Sequence, residues 1–503
     1  MSNTSLHKNA IANYVGQFYS ILIGVVMLPF YITYLGSEAY GLVGFFTMLN
    51  SWMMLLDMGL SSTLIREVAK LKDKFNGLYE LKVLLRSIEA VFLLIAIVVF
   101  FTIYFNAPWI VQEWLDIQEL LYEDVLYCIQ LMAIMLCFRW FIGLYQGAVI
   151  GFENQVWLNV YKVGINTLKF VGAFLLIKYI TNEIYYFFIY QAIVTLLEYV
   201  IIRNKVYSLL IKTIFIWPSF EYLKRIAPFA LSIAYISAVW IMFSQMDKLL
   251  LSHYIPLSEY GYFTLVVIVS GAVTQLAAPI SQAFLPHMTS LISNKKDGEM
   301  IIIYHKGTQL LSIIIISVVA IISFFSFELI YAWTGDKEAS TWVSQILIWY
   351  VIGNGILAIV AFQYYLQYAY GNLKYHLKFN TVFPFITLPI MYYAIANYGA
   401  IGSALSWFAI QLVTFMVWPP FIHKKFAPGI HKDWIIKDIM PALSVTSIYI
   451  VLLKLIDIDF KGLDRIEIIL TLILLGIFLL ILNWIAYPFG RKYILKIWRN
   501  YAK

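Results

Sequence analysis

Long apolar segments follow one another along this chain, joined by short polar connections, and basic residues crowd into every second connection. A helix needs about 20 apolar residues to cross a bilayer core and satisfies its own backbone polar groups, so each segment is read as a spanning α-helix. The pattern predicts spans near 9–35, 40–64, 84–106, 125–150, 155–178 and 183–203. A second set follows near 227–252, 260–290, 304–331, 342–370, 375–397, 400–422, 438–455 and 466–488. The fold class is therefore an all-α polytopic membrane protein of about 14 spans.

With the N-terminus placed in the cytoplasm, the inside connections hold Lys8; Arg66, Lys70, Lys72, Lys74, Lys82 and Arg86; and Arg203, Lys205, Lys212, Lys224 and Arg225. They continue with Lys295, Lys296 and Lys306; Lys374 and Lys378; Lys424, Lys425, Lys432 and Lys437; and Arg491, Lys492, Lys496, Arg499 and Lys503. These are 26 of the 35 basic residues. Outside stand only Lys178, Lys337, Lys454, Lys461 and Arg465, and the connection 106–124 carries five acids and no cation. The excess of Lys and Arg in these connections is expected to place both termini in the cytoplasm.

The composition belongs to the same class: 62% hydrophobic and 13% charged residues, with mean hydropathy +0.80. The net charge of +7 then reports topology and lipid headgroups, not nucleic acid, because the cations sit in short loops beside spans. The first apolar segment is too long for a signal-peptide core and lacks a small-residue cleavage site, so it is expected to remain as a helix. Cys128 and Cys137 lie nine apart on one expected helix, which allows neither a bridge nor a metal set. No phosphate-cradling glycine loop of the Walker type is present. No connection is large enough for a catalytic domain, so a transporter without a cofactor is expected, and no enzyme.

The longest basic connection divides the chain into an N-terminal lobe (1–203), a cytoplasmic linker (204–226), a C-terminal lobe (227–424) and two further helices with a basic tail (425–503). Around Trp217-Pro218 the linker is expected to lie in the membrane interface. Ser37-Glu38-Ala39-Tyr40-Gly41 opens the second span, and Ser258-Glu259-Tyr260-Gly261 opens the eighth. Six intervening helices would bring the echo back in the same orientation, about a pseudo-twofold axis along the membrane normal.

Four cations fall inside spans: Arg139, Lys162, Lys169 and Lys248. Facing lipid, four such charges would cost on the order of 10 kcal/mol, so they are expected to face water or a counter-ion. Lys162 and Lys169 are two helical turns apart and share a face. Snorkelling to a headgroup is the competing account, and it suits Lys162 better than Lys169. The acidic counterparts are Asp57, Glu198 and Asp247, with Glu328 near a span end. Each acid is open to two readings, a proton or ion carrier and a structural ion pair. Asp247 and Lys248, adjacent and about 100° apart on a helix, are not expected simply to neutralise one another, and one or both are expected to find partners on other helices. Asn13 and Gln17 give the first span a polar face, for a cavity or for packing between helices. The histidines show no paired spacing and read as interfacial, and the abundant tyrosines suit interfacial belts or stacking on sugars.

Leu35-Gly36-Ser37-Glu38-Ala39-Tyr40-Gly41-Leu42, Leu56-Asp57-Met58-Gly59-Leu60 and Arg66-Glu67 resemble the opening of Wzx-type O-antigen flippases. Gly143, Gln146-Gly147 and Gly151-Phe152-Glu153-Asn154, between the fourth and fifth spans, also resemble that family's pattern, as does Met246-Asp247-Lys248 followed by Glu259-Tyr260-Gly261 and Pro279. That family belongs to the multidrug/oligosaccharidyl-lipid/polysaccharide (MOP) exporter superfamily. The resemblance implies a MATE-like fold of two six-helix lobes and two added helices. It also implies a substrate, an oligosaccharide repeat on undecaprenyl diphosphate, moved to the periplasmic leaflet for lipopolysaccharide or similar polymer synthesis. Partners would be that lipid, the surrounding membrane lipids, and polymerase and chain-length proteins. Arg139, Lys162, Lys169 and Lys248, with Asn13 and Gln17, would line a cationic cavity, and Asp57, Glu198 and Asp247 would couple or gate. The driving force is open between membrane potential and H⁺ or Na⁺. A lipid II flippase and a multidrug or metabolite antiporter are the nearest rivals, and a polymerase or ligase is disfavoured by the short, acidic outer connection.

Overall fold

The computed structural model describes residues 3–211, 216–488, 490 and 491. Lys212 and the tail cations Lys492, Lys496, Arg499 and Lys503 lie outside the described residues. In chain order the helices are α1 (Asn3–Leu35), α2 (Ser37–Met53), α3 (Leu60–Leu71), α4 (Gly77–Trp109), α5 (Tyr122–Gly151), α6 (Gln155–Thr167), α7 (Ala173–Tyr179), α8 (Ile184–Leu209) and α9 (Phe220–Tyr254). They continue with α10 (Leu257–Ser293), α11 (Asp297–Phe324), α12 (Ser326–Thr334), α13 (Lys337–Ala369), α14 (Lys374–Phe426), α15 (Ile430–Asp433), α16 (Met440–Ile456) and α17 (Arg465–Ala486). Wider π-helical turns occupy Ile110–Trp114, Leu168–Gly172 and Trp434–Ile439. Among the described residues the extended pairing is a single bridge, Asp116 to Pro256.

Among the described residues thirteen stretches are long and apolar enough to cross a membrane. One of them, α14, runs 53 residues, roughly 80 Å at the helical rise and far more than one crossing needs. Its backbone breaks at Gly399 (φ 55°, ψ −135°), a conformation that glycine adopts without a Cβ clash, so α14 is two spans in succession, as the apolar pattern predicts.

The second expected span, by contrast, does not run unbroken to residue 64. After α2 a 3₁₀ turn covers Met54–Asp57, and Met58 and Gly59 both take positive φ before α3 begins. The Asp57 carboxylate accepts from the Ser61 amide at 3.3 Å and from the Ser61 hydroxyl, holding the corner. Apolar residues on both sides hide this corner from a hydropathy reading, and the local signal is the Asp57-Met58-Gly59 sequence itself.

The chain folds as two compact units, Met1–Gly261 and Tyr262–Lys503. Within the first, Glu38 is nearly fully buried and its carboxylate accepts from three successive amides, those of Gln118 (2.5 Å), Glu119 (2.7 Å) and Leu120 (2.8 Å). The acidic connection after α4 is thereby fastened to the start of α2. The indole of Trp114 donates to Ser252 Oγ at 3.0 Å, and the Leu257 amide donates to the Asp116 carbonyl at 2.9 Å, tying the same connection to α9 and α10.

Candidate functional site

The fifth span is assembled from α6, the π-helical turn Leu168–Gly172 and α7. A π-helical turn leaves carbonyls without their α-helical partners, and inside a membrane each needs another donor. Three side chains supply them: Tyr190 Oη donates to the Leu168 carbonyl (2.8 Å), Gln191 Nε2 to the Lys169 carbonyl (2.9 Å) and Tyr31 Oη to the Phe170 carbonyl (2.8 Å). Gly172 leaves the space that the Tyr190 hydroxyl fills, since a Cβ there would stand 1.9 Å from it. Helices α1 and α8 thus hold the irregular turn that carries Lys169.

Lys169 is 7% exposed, and its ammonium donates to the Glu198 carboxylate on α8, itself 5% exposed. Arg139 Nη1, from α5, stands 4.0 Å from the same Glu198 oxygen. The Tyr161 hydroxyl donates to the Glu198 carbonyl at 2.8 Å and fixes that stretch of α8 against α6. Three spans therefore bring two cations to one carboxylate, and the cluster is net positive. Lys162, half-buried, lies two turns before Lys169 and within electrostatic range of Glu198, adding to the surplus. Arg139 Nε is buried and has no hydrogen-bond partner among the described residues.

The other sequence-predicted residues lie elsewhere in the first unit. The Asp57 carboxylate serves the corner before α3. Asn13 donates to the Gln155 side chain and accepts from Asn159 Nδ2 (2.6 Å), so it packs α1 against α6, while Gln17 is exposed. Further along the same pair of helices, Asn166 donates to Ser20 Oγ (2.8 Å) and Tyr19 meets Thr167.

The expectation for Asp247 and Lys248 is corrected. Lys248 Nζ lies 3.0 Å from Asp247 Oδ1 and 3.2 Å from Oδ2, and also donates to the Ser244 carbonyl at 2.8 Å. The four-carbon lysine stem curls across the angle that separates neighbouring positions on a helix, and burial of Asp247 at 1% exposure rewards the closure.

The histidine reading is also corrected, in the second unit. His305 Nδ1 meets Asp438 Oδ2 at 2.5 Å, and Gln309 Nε2 donates to Asp438 Oδ1 at 2.8 Å. His423 is fully buried, with Nε2 at 2.7 Å from the Tyr304 hydroxyl and Nδ1 at 3.0 Å from His431 Nδ1. These groups are joined across 119 and 133 residues, and spacing within one span carries no signal of them. The π-helical turn Trp434–Ile439 presents Asp438, whose carbonyl accepts from the Tyr487 hydroxyl at 2.6 Å.

The fold recurs among solved transporters. A lipid II flippase, MurJ, in an inward closed conformation superposes with TM-score 0.69 at 17% identity, covering 96% of this chain and 99% of that one. An inward-facing multidrug resistance MATE transporter of the MOP superfamily gives TM-score 0.61 at 14% identity over 81% of this chain and 96% of its own. The MATE multidrug transporter DinF-BH gives 0.60 at 15% identity over 84% and 96%. No curated protein sequence matches the chain. The sequence model of the family described as polysaccharide biosynthesis protein matches residues 6–292, which contain the whole Arg139–Lys169–Glu198 cluster. That match spans more than half of the 503 residues, and with the likeness of fold it identifies the chain as a member of the polysaccharide biosynthesis protein family with the architecture of the MOP transporters.

Proposed function

We propose that this protein is a flippase, not an enzyme, which carries an oligosaccharide repeat unit on undecaprenyl diphosphate from the cytoplasmic to the outer leaflet of a bacterial inner membrane. The observation that carries the reading is the net-positive group of buried Lys169 and Glu198 with half-buried Arg139 within the spans of a polysaccharide-family transporter. A diphosphate entering the membrane loses hydration, and guanidinium and ammonium groups replace it with charge-assisted hydrogen bonds. The unused Arg139 Nε is one donor for such a group. O-antigen units are the substrate class favoured by the sequence resemblance, with both termini cytoplasmic and a polymerase and chain-length proteins downstream.

Alternating access would move the headgroup while the polyprenyl tail stays in lipid. A headgroup with two negative charges moving outward across an inside-negative membrane gains roughly 4 to 5 kcal/mol per 100 mV, so membrane potential is a sufficient driving force. Asp57 and Asp247 are occupied by Ser61 and Lys248, which favours potential over ion coupling through them.

The test is deletion of the gene in its host, with leaflet-resolved assay of undecaprenyl-linked repeat units and restoration by the intact chain. Complete repeat units trapped on the cytoplasmic side, released by the wild-type chain and not by Lys169→Ala, are expected. Units that still reach the periplasm would overturn the reading, and accumulation of lipid II in their place would transfer it to that substrate.

A further inference from the structure

A cavity of about 360 Å³ opens in the first unit where α4 begins and α8 ends, roofed by the segment Ile216–Pro218. That segment is held down at both sides: Lys82 Nζ donates to the Ile211 carbonyl at 3.1 Å and the Ser219 amide to Ser87 Oγ at 2.8 Å. Arg86, Glu89, Tyr199 and Arg203 lie among its walls, with Leu93 and Trp217 at the rim.

The charges in this cavity do not cancel. Glu89 accepts from the Tyr145 hydroxyl (2.7 Å), from the Tyr207 hydroxyl (2.8 Å) and from Arg86 Nη1 (3.4 Å), so its charge is balanced by Arg86. Arg203 lies over the Tyr207 ring, 4.8 Å from its centroid, and among the described residues no carboxylate comes within 4.0 Å of it. One positive charge is left over, on a planar fork suited to two phosphate oxygens.

The rim is apolar and faces outward. Leu93 and the adjacent Leu94 are 54% and 66% exposed on α4, and Trp217 and Phe220 are 77% and 79% exposed at the linker. Exposed aromatics at the end of a spanning helix mark headgroup level, and the exposed leucines continue toward the hydrocarbon.

We propose that this cavity binds the phosphodiester headgroup of a monoanionic glycerophospholipid such as phosphatidylglycerol, with Arg203 on the phosphate and the acyl chains along Leu93. The surplus of one charge matches one phosphodiester. A diphosphate would bring a second negative charge toward Glu89 without a cation to meet it, which separates this site from the proposed transport path. The apolar rim selects a lipid over free phosphate. Bound there, the lipid clamps the Ile216–Pro218 segment between α4 and α8.

The purified full chain would be titrated by native mass spectrometry with phosphatidylglycerol, phosphatidylcholine, inorganic phosphate and undecaprenyl diphosphate. Phosphatidylglycerol is expected to be retained over phosphatidylcholine, with affinity about fivefold or more weaker in Arg203→Ala and partly restored in Arg203→Lys. Lys205→Ala, on the same helix but outside the cavity, is expected to bind as wild type, and matched elution and melting curves establish that each variant is folded. Equal retention of both phospholipids, or unchanged binding in folded Arg203→Ala, overturns the site. Displacement by millimolar inorganic phosphate overturns the lipid assignment, and tighter Arg203-dependent binding of undecaprenyl diphosphate overturns its separation from the transport path.

Discussion

Gly41 on α2 and Gly261 on α10 meet without a side chain between them: a Cβ on Gly261 would stand 3.1 Å from the Gly41 amide nitrogen and 2.1 Å from the Ser37 carbonyl oxygen. The relation is reciprocal, because a Cβ on Gly41 would stand 2.1 Å from the Leu257 carbonyl oxygen. Residues 37 and 41 therefore face 261 and 257, as a local twofold axis requires. Small residues permit such close crossings inside membranes, where packing replaces the hydrophobic drive. Gly41→Ala and Gly261→Ala are each expected to lower stability by about 2 kcal/mol or more, since a carbonyl oxygen cannot yield as a flexible side chain can. Once one alanine has parted the helices, the second adds less. Melting temperatures in detergent for both single variants and the double variant check this, and additive losses would contradict a shared crossing.

Glu38 extends the same argument from packing to electrostatics. Its buried carboxylate is the acceptor for three consecutive loop amides, and glutamine offers only one oxygen in its place. Glu38→Gln is expected to destabilise the protein by about 2 to 3 kcal/mol and to loosen residues 115–121 first. Limited proteolysis or hydrogen exchange of that connection is the measurement, and protection equal to wild type would contradict the assignment.

The spans were legible because membrane insertion imposes a length and a charge asymmetry that each segment carries alone, and α14 shows it: hydropathy divides it near the Gly399 break. The corner at Asp57-Met58-Gly59 was hidden from the hydropathy pattern, since positive φ at a non-glycine residue such as Met58 leaves no hydropathic trace, and its signal lies only in those local residues. The intramembrane charges of Arg139, Lys169 and Glu198 were legible one by one as residues that lipid would reject. Their convergence on one carboxylate was not, because it depends on how α5, α8 and the π-helical turn pack. The Asp247–Lys248 closure was misjudged because helix geometry fixes the Cβ directions but not the reach of a lysine stem.

Lys169, Arg139 and Glu198 predict an asymmetry between their variants. Glu198→Ala leaves buried Lys169 and half-buried Arg139 without this counter-charge and is expected to destabilise by about 3 kcal/mol. Lys169→Ala leaves Glu198 with Arg139 at 4.0 Å, so the expected loss of stability is smaller, while transport falls by about tenfold or more. Expression, monodispersity and export measured together separate the two effects. Full export in folded Lys169→Ala would remove the cationic cluster from the transport mechanism.

Asp438 gives the corresponding test in the second unit, where no transport role is assigned. Its carboxylate is fully buried, and His305 and Gln309 both direct nitrogen atoms at it. Asp438→Ala removes the acceptor for both and is expected to destabilise by about 3 kcal/mol or more, because two polar groups lose their partner inside the protein. Asp438→Asn keeps an oxygen that can accept from Gln309 and loses only the ionic part of the His305 contact, so its loss is expected to be about half as large. If the cluster is structural, export per folded molecule stays at the wild-type level in Asp438→Asn while the melting temperature falls. A variant that melts as wild type yet fails to export would instead place the His305–Asp438 pair in the transport cycle.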